Sequence, residues 1–236
     1  MVVGMGGVGS WAAECLARCG VGRLILVDQD EVCLSNTNRQ LHATDDTIGR
    51  SKVGVMAERI SSFAPDTFVE SIARFYTASS AGNLLKCKPD HVIDAIDSFS
   101  HKIRLLLDCR QRGIPIVVSG GAGGLTDPTA IRVVDLRRVS NDSLLAKMRK
   151  NLRQRHGFPR VGKGGFRVPA VFSEQLPVFP DARGGVCAQP IRDSGGVRLN
   201  CDHGMGTLAA VTGAFGCALA AEVLKKTAVR SNMVIP

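Results

Sequence analysis

The sequence lacks several kinds of segment, and each absence excludes a class of protein. It has no run of 18 apolar residues, so we expect no transmembrane helix; the most apolar stretch, residues 208–224, is broken by glycines and carries Glu222. None of its eight cysteines form a Cys-x-x-Cys pair, so we expect no structural zinc. No signal peptide is visible, and we expect a cytoplasmic protein, with an organellar signal upstream of Met1 left open.

The composition indicates a globular chain. Its 236 residues, 44% of them hydrophobic, suffice for one domain with a large core. Free thiols on apolar faces, such as Cys15, Cys109 and Cys217, are typical of a reducing cytosol. The formal net charge of +9 fits either simple solubility or an anionic partner, so the position of the charges has to decide between them.

A glycine pattern opens the chain and predicts a nucleotide site. Gly4, Gly6 and Gly9 form Gly-x-Gly-x-x-Gly between an apolar run and an amphipathic segment, residues 11–19, which together read as strand, turn and helix. Gly4 suits the tight turn, Gly6 lets backbone N–H groups approach a phosphate, and Gly9 lets helix and strand pack closely. The positive end of the helix dipole points at the same place.

The later pattern predicts an α/β fold. Strands and helices alternate through residue 119, as in a doubly wound, mostly parallel, Rossmann-like sheet. Residues 130–136 predict an added antiparallel strand, residues 144–155 a basic helix, residues 184–202 an irregular segment and residues 204–226 the last helix. We therefore predict one domain over residues 1–226, with a nucleotide-binding part (1–124), a basic, substrate-facing part (125–226) and a tail (227–236).

Four charged residues suggest which nucleotide binds. Asp28 lies 19 residues past Gly9, where Rossmann-type sites place an acid on the ribose. Arg39 and Lys52 follow the second strand, and Asp97 ends a later parallel strand. Each has an ordinary alternative as a surface charge or, for Asp97, a helix cap. Together they suit a triphosphate with Mg²⁺ better than a dinucleotide.

These residues are similar to a known family. The motifs are Gly4-x-Gly-Gly-Val-Gly-Ser10, Asp28-x-Asp30, Ser35-Asn-x-Asn-Arg-Gln40, Gly49-x-x-Lys52 and Asp94-x-x-Asp97. They resemble the adenylating domain of ubiquitin-activating-like (ThiF/MoeB-type) enzymes. The run Gly120-Gly-Ala-Gly-Gly124-x-x-Asp-Pro128 makes the resemblance closest to one branch, the tRNA threonylcarbamoyladenosine dehydratases. It covers about residues 2–226.

The resemblance implies a set of site residues. Those on ATP would be Gly4, Gly6, Gly7, Gly9, Asp28, Ser35, Asn36, Thr37, Asn38, Arg39, Lys52, Asp97 and Ser98. Of these, Arg39 and Lys52 would contact the phosphates, and Asp97 would hold Mg²⁺, so these three would be the catalytic residues. The implied reaction is an ATP-dependent, cyclising dehydration of threonylcarbamoyladenosine in tRNA by adenylation of its carboxylate. A homodimer is also implied, and a cysteine desulfurase or sulfur-acceptor partner is left open.

With tRNA as the implied substrate, the excess positive charge would be explained by binding to an anionic partner. The cluster Lys147, Arg149, Lys150, Arg153 and Arg155 would contact the tRNA backbone, although a solvated helix face is the alternative. Aromatic residues for stacking on bases are scarce there, with Phe158 and Phe166 the only options.

Cys201 is a candidate reactive thiol, because protein-activating relatives form a thioester on a mobile cysteine. Ring closure within one substrate requires no thioester, so a quiet free thiol is the favoured interpretation.

Other functions stay open from the sequence. The main alternative is an adenylating enzyme for a ubiquitin-like or sulfur-carrier protein, against which the missing cysteine pairs and the basic segment argue. An NAD-linked oxidoreductase and a non-enzymatic RNA-binding protein are the others.

Overall fold

The computed structural model describes residues 1–160, 164–180, 185–187 and 206–231. Strands in this part are β1 (Val2–Val3), β2 (Arg23–Val27), β3 (Phe68–Ile72), β4 (Val92–Asp94), β5 (Ile116–Ser119), β6 (Ile131–Asp135), β7 (Pro169–Ser173), β8 (Phe179–Pro180) and β9 (Val186–Cys187). Helices are α1 (Gly9–Arg18), α2 (Lys52–Phe63), α3 (Ala81–Leu84), α4 (Phe99–Gln111), α5 (Ser143–Arg155) and α6 (Ala209–Ser231).

The centre of the fold is a seven-stranded sheet in the order β3-β2-β1-β4-β5-β7-β6. Each neighbouring pair is parallel except β6 with β7, which is antiparallel. Strands β8 and β9 form a separate antiparallel pair. The predicted doubly wound, mostly parallel sheet with an antiparallel addition is therefore confirmed.

Alternation along the strands explains why helices cover both faces of the sheet. Val2, Leu26 and Ile93 point to a core shared with helices α1, α2 and α6. Val3 and Val27 point to the opposite core, which helices α3, α4 and α5 complete. Strand β1 thus sends one residue to each core, as a central strand of a two-faced sheet must.

Several predicted boundaries need correction. The last helix begins at Ala209 and not at residue 204. Within the segment expected to be irregular, Val186–Cys187 pairs with Phe179–Pro180. Of the thiols expected on apolar faces, Cys109 is buried but Cys217 is exposed.

The last helix packs tightly against α1. A Cβ atom at Gly216 would lie 2.6 Å from the Cβ of Trp11 and 2.7 Å from the Val8 carbonyl oxygen, so only glycine allows this approach. No helix in the described residues has the length and hydropathy to cross a membrane. Helix α6 is instead an internal helix that brings the end of the chain to its beginning.

Candidate active site

A cavity of about 560 Å³ lies at the carboxyl ends of the parallel strands. It opens beside β1 and β4, where the chain first winds one way across the sheet and then the other. Open α/β sheets bind their ligands at this switch point, because adjacent loops diverge there and leave a crevice.

The first glycine loop (residues 4–9) forms one wall of the cavity. Gly4 has φ +93°, and a Cβ atom there would lie 2.7 Å from the Ala95 carbonyl oxygen. A Cβ at Gly9 would overlap the Gly4 carbonyl. Gly6 has no atom within 4 Å of its Cβ position, and it lines the cavity with Gly4 and Gly7. The outer glycines thus shape the turn, and the middle one leaves room for a ligand.

Asp28 ends β2 at the cavity, as the sequence predicts. Its carboxylate accepts the backbone N–H of Met5 at 2.6 Å and that of Asp30 at 2.8 Å. Burial raises the pKa of Asp28, and the two N–H groups, together with Lys52, oppose that rise. The side chain therefore ties the first glycine loop to β2 while remaining on the cavity wall.

The two predicted cations are both held in place. Lys52 is 6% exposed, and its Nζ lies 2.9 Å from Oδ2 of Asp30. The Arg39 guanidinium donates to the Ser35 carbonyl at 2.7 Å and to Oδ1 of Asn38 at 2.9 Å. Both cations line the same cavity, so a phosphate there meets preorganised positive charge.

Asp97 and Ser98 lie on the cavity wall between β4 and α4. Asp97 is exposed, and within the described residues its carboxylate makes neither a hydrogen bond nor an ion pair. The proposed capping role does not apply to it, because Ser98 occupies the N-cap position of α4. A free carboxylate on the wall of a nucleotide-sized cavity is available to a metal ion.

Most of the remaining polar residues of the predicted ATP set either line the cavity or hold the residues that line it. Asn36 lines the cavity and accepts the Cys33 N–H on Oδ1 at 3.1 Å. Ser35, Thr37 and Asn38 lie outside the lining; Ser35 and Asn38 hold Arg39, and Nδ2 of Asn38 donates to the Thr207 carbonyl at 3.0 Å. The structure thus brings most, but not all, of the predicted set to the cavity itself.

The opposite wall contains residues that the sequence did not assign. The second glycine loop (residues 120–124) lines it together with Leu144 of α5. Asp142 accepts the Gly121 N–H at 2.9 Å and caps α5 by accepting the Leu145 N–H at 2.8 Å. The glycine run was visible in the sequence, but its connection to Asp142 was not.

Thr212 completes the cavity from α6. Its hydroxyl donates to the Arg39 carbonyl at 3.3 Å, and Trp11 Nε1 donates to the same oxygen at 3.3 Å. Thr212 also touches the Gly7 position. No local signal could have revealed it, because 173 residues separate Thr212 from Arg39. Asp30, by contrast, was already part of a quoted motif.

The predicted tRNA-binding helix divides into two groups of cations. Lys147, Lys150 and Arg155 are exposed. Arg149 donates to the Val139 carbonyl, and Arg153 stacks 5.4 Å from the centre of the Phe166 ring. Burial lowers the pKa of Arg149, and Arg153 adds to the effect. Three of the five predicted cations are thus available on the surface, and two are packed.

The two aromatic residues beside the basic helix are in the core. Phe158 and Phe166 are 3% and 4% exposed, and their rings meet edge to face at 4.9 Å. Neither ring is available to stack on a base, because both anchor α5 to the rest of the protein. Cys201 lies outside the described residues, as do Asp202 and His203.

Comparison with known proteins agrees with this geometry. The ThiF family model matches residues 1–233. The tRNA threonylcarbamoyladenosine dehydratase of Escherichia coli is 44% identical over 225 residues, which are 95% of this chain and 84% of that protein. The Bacillus subtilis dehydratase is 41% identical over 75% of this chain and 67% of its own length.

A solved structure extends the similarity to three dimensions. The crystal structure of the Escherichia coli tRNA N6-threonylcarbamoyladenosine dehydratase, TcdA, in complex with ATP superposes with a TM-score of 0.84 at 40% identity, covering 98% of this chain and 86% of that one. The chain therefore belongs to the ThiF family, in the group that contains the tRNA threonylcarbamoyladenosine dehydratases.

Proposed function

We propose that the protein catalyses the ATP-dependent, cyclising dehydration of threonylcarbamoyladenosine in tRNA. The observation that carries the proposal is one cavity that joins a phosphate-type glycine loop, Arg39, Lys52 and a free Asp97, in a chain similar to the dehydratases over 95% of its length. ATP is the expected nucleotide, because the cavity offers more positive charge than two phosphates at a helix N-terminus require.

In the first step, the threonyl carboxylate attacks the α-phosphate of ATP and releases pyrophosphate. The first glycine loop and the N-terminus of α1 would face the phosphates, while Arg39 and Lys52 neutralise charge that shifts towards pyrophosphate. Asp28, on the wall at the end of β2, would take the ribose hydroxyls. The carboxylate, a poor acyl donor, then carries AMP as a good leaving group.

Asp97 would hold Mg²⁺. Its carboxylate is a hard oxygen donor without a protein partner among the described residues, and Mg²⁺ is usually held by one or two carboxylates plus substrate phosphates. The described residues contain no cluster of three or more metal-binding side chains, which fits a metal that arrives with the nucleotide. The ion would supply charge neutralisation on the phosphates.

In the second step, a nucleophilic atom of the carbamoyl group attacks the activated carbonyl carbon. The bond to AMP breaks, a ring forms, and the nucleophile loses a proton, so the two steps together remove one water from the base. The two reacting groups belong to one molecule, and holding them together in the cavity accelerates closure by proximity. No protein nucleophile is required, and we expect a Cys201→Ser variant to retain dehydration.

The direct test uses tRNA that carries threonylcarbamoyladenosine. Incubation with the protein, ATP and Mg²⁺ should convert the nucleoside to a product lighter by one water, as measured by mass spectrometry of tRNA digests. Adenylation of a carrier protein's C-terminus, with the tRNA unchanged, would instead establish the alternative function.

Asp97 can be tested against a matched carboxylate. Asp97→Asn should lower turnover by about a thousandfold, because a lost electrostatic stabiliser typically costs a factor of 10²–10³ or more. Asp90 is also exposed, but it precedes β4 and so lies at the amino ends of the strands, away from the cavity. Asp90→Asn is therefore the control. Equal turnover in the two variants would remove Asp97 from the mechanism.

We propose that the exposed cations of α5 contact the tRNA backbone. Lys147→Gln/Lys150→Gln should weaken tRNA binding and reduce the slope of log affinity against log salt by about two, with ATP affinity unchanged. Lys86 and Lys88, exposed before β4 and away from the cavity edge, give a control double variant. An unchanged salt slope would place the tRNA on another surface.

The oligomeric state and location follow from the same resemblance. We propose a cytoplasmic homodimer, and light scattering of the purified protein should give twice the chain mass of 25.1 kDa. A sulfur-transfer partner would be found by pull-down with a cysteine desulfurase.

A further inference from the structure

A buried ion pair lies behind the cavity wall. Nζ of Lys102 is 2.9 Å from Oδ1 of Asp94, and both side chains are 0% exposed. Lys102 is among the largest fully buried side chains of the described residues. Removing two charges from water costs so much that apolar residues of similar volume often serve stability as well. Stability alone therefore gives no reason for this pair.

The pair holds the turn that leads to Asp97. Oδ1 of Asp94 accepts the Ile96 N–H at 3.1 Å, and Lys102 also donates to the Asp94 carbonyl at 3.3 Å. On the other side, the Ala95 N–H donates to the Val3 carbonyl at 2.9 Å. The backbone between Asp94 and Asp97 is thus fixed by hydrogen bonds to Lys102 of α4, to β1 and to the side chain of Asp94.

The same turn supports the first glycine loop. The Ala95 carbonyl leaves no room for a Cβ atom at Gly4, so the two segments are in direct contact. Lys102 lies one turn into α4, and its N–H bonds the Ser98 carbonyl at 2.9 Å. A movement of Lys102 would therefore shift Asp97 relative to the loop that faces the phosphates.

We infer that Lys102 is a positioning residue: with Asp94, it fixes the turn at residues 95–97 so that the Asp97 carboxylate meets the cation carried by the ATP phosphates. The inference rests on the proposed function only for the role of Asp97. Oδ2 of Asp94 is buried and has no hydrogen-bond partner among the described residues, so the pair is not arranged for greatest stability. Its geometry serves the turn.

The test is Mg²⁺-dependent ATP binding, measured by calorimetry with and without the metal. In Asp94→Leu/Lys102→Met, ATP affinity without Mg²⁺ should stay within about twofold of wild type, because the glycine loop and cations remain. The gain in affinity on adding Mg²⁺ should fall about tenfold, the usual effect of removing support from a metal ligand. If this variant does not fold, Asp94→Asn/Lys102→Met replaces it, since asparagine still accepts the Ile96 N–H.

Two comparisons separate positioning from stability. Adding Asp97→Asn to the double variant should reduce the Mg²⁺ effect by less than Asp97→Asn does in the wild type, because both changes act through one carboxylate. Glu14→Gln is the control: Glu14, on α1, is 4% exposed and ion-paired with Arg18 of α1 and with Arg59 of α2. It should lower stability and leave the Mg²⁺ effect unchanged.

The inference is overturned if the double variant keeps the wild-type Mg²⁺ effect, if Glu14→Gln reduces it equally, or if Asp97→Asn adds its full loss to the double variant. The measurement needs no tRNA, so a wild-type protein that binds Mg·ATP but fails to dehydrate tRNA would refute the proposed function alone.

Discussion

The two glycine loops on opposite walls of the cavity share one steric plan. In the first, Gly4 and Gly9 have no room for a side chain while Gly6 is open. In the second, a Cβ atom at Gly124 would lie 2.5 Å from the Val178 carbonyl oxygen, and Gly121 is open. In both, packed outer glycines hold the backbone in place, and an inner glycine with open space at its Cβ position lines the cavity.

The residues that surround the two loops differ, and this difference determines which chemical groups each loop can bind. The first loop leads into the N-terminus of α1 and shares its wall with two cations, Arg39 and Lys52, of which Lys52 is paired with Asp30. The second has one N–H already bonded to the Asp142 carboxylate. The first wall therefore suits phosphates better than the second, where a carboxylate already accepts one of the loop's N–H groups. A glycine run alone does not specify an anion site.

The largest effect should come from filling the first loop. Gly9→Ala places a methyl group on the Gly4 carbonyl, and we expect a loss of about 3 kcal/mol in the free energy of unfolding, measured by urea denaturation. Gly6→Ala should leave stability unchanged and weaken ATP binding, because its methyl group would enter the cavity. Equal stability of the two variants would contradict the division of roles.

Acid should lower the stability of the fold through a buried histidine that interacts electrostatically with Lys52 of the first wall. His42 is 2% exposed, and neither ring nitrogen has a hydrogen-bond partner in the part of the chain that the structure describes. Burial, aided by Lys52 and Arg59, lowers the pKa of His42 to about 4 from 6.5. The unfolded chain therefore binds the extra proton between these values, so stability falls as the pH falls from 6.5 to 4, by about 3 kcal/mol. A His42→Leu variant, unfolded in urea at several pH values, should show a flatter dependence. A dependence as steep as in wild type would assign the effect to other groups.

A side chain introduced into the second glycine loop should lower the free energy of unfolding by less than one introduced into the first loop. Gly124 has φ +72°, and Gly124→Ala combines an unfavourable backbone with the Val178 contact, for about 2 kcal/mol of lost stability. ATP affinity should stay the same while dehydration of tRNA slows. Gly121→Ala, with open space at its Cβ, is the matched control for stability. A parallel loss of ATP affinity would show that the two walls do not act separately.

The smallest effect should come from Asp142→Ala. Loss of the cap on α5 should cost about 1 kcal/mol of stability. The second loop also loses its anchor, so KM for tRNA should rise while the Kd for ATP is unchanged, as measured by steady-state kinetics and calorimetry. Asp142→Asn, which still accepts hydrogen bonds, should restore most of the loss.

The contrast between the walls also shows what the sequence could predict. The first wall lies within one strand-turn-helix unit, and its acid follows at a regular distance, so Gly4, Gly9 and Asp28 were visible as a local pattern. The second wall depends on Asp142, which is 21 residues from its partner Gly121. Contacts set by tertiary packing leave no periodic trace in the chain.

The basic helix illustrates the same limit at the level of single residues. Lys147 and Arg149 look equivalent in the sequence, yet one is exposed and the other bonds the Val139 carbonyl. The helix itself was predictable from its composition and its cap. Which of its cations are exposed depends on how α5 packs against Phe158 and Phe166. The sequence alone does not show whether aromatic side chains next to a basic helix are buried or exposed.

The contact between Thr212 and Arg39 has a consequence for the order of synthesis. The first glycine loop emerges from the ribosome about 200 residues before the last helix that supports it, and the 173-residue separation must be closed before the wall is complete. A nascent chain can form β1 and α1 early, but it cannot yet present the finished nucleotide site. Competence to bind ATP thus arises late, almost with the completion of the domain.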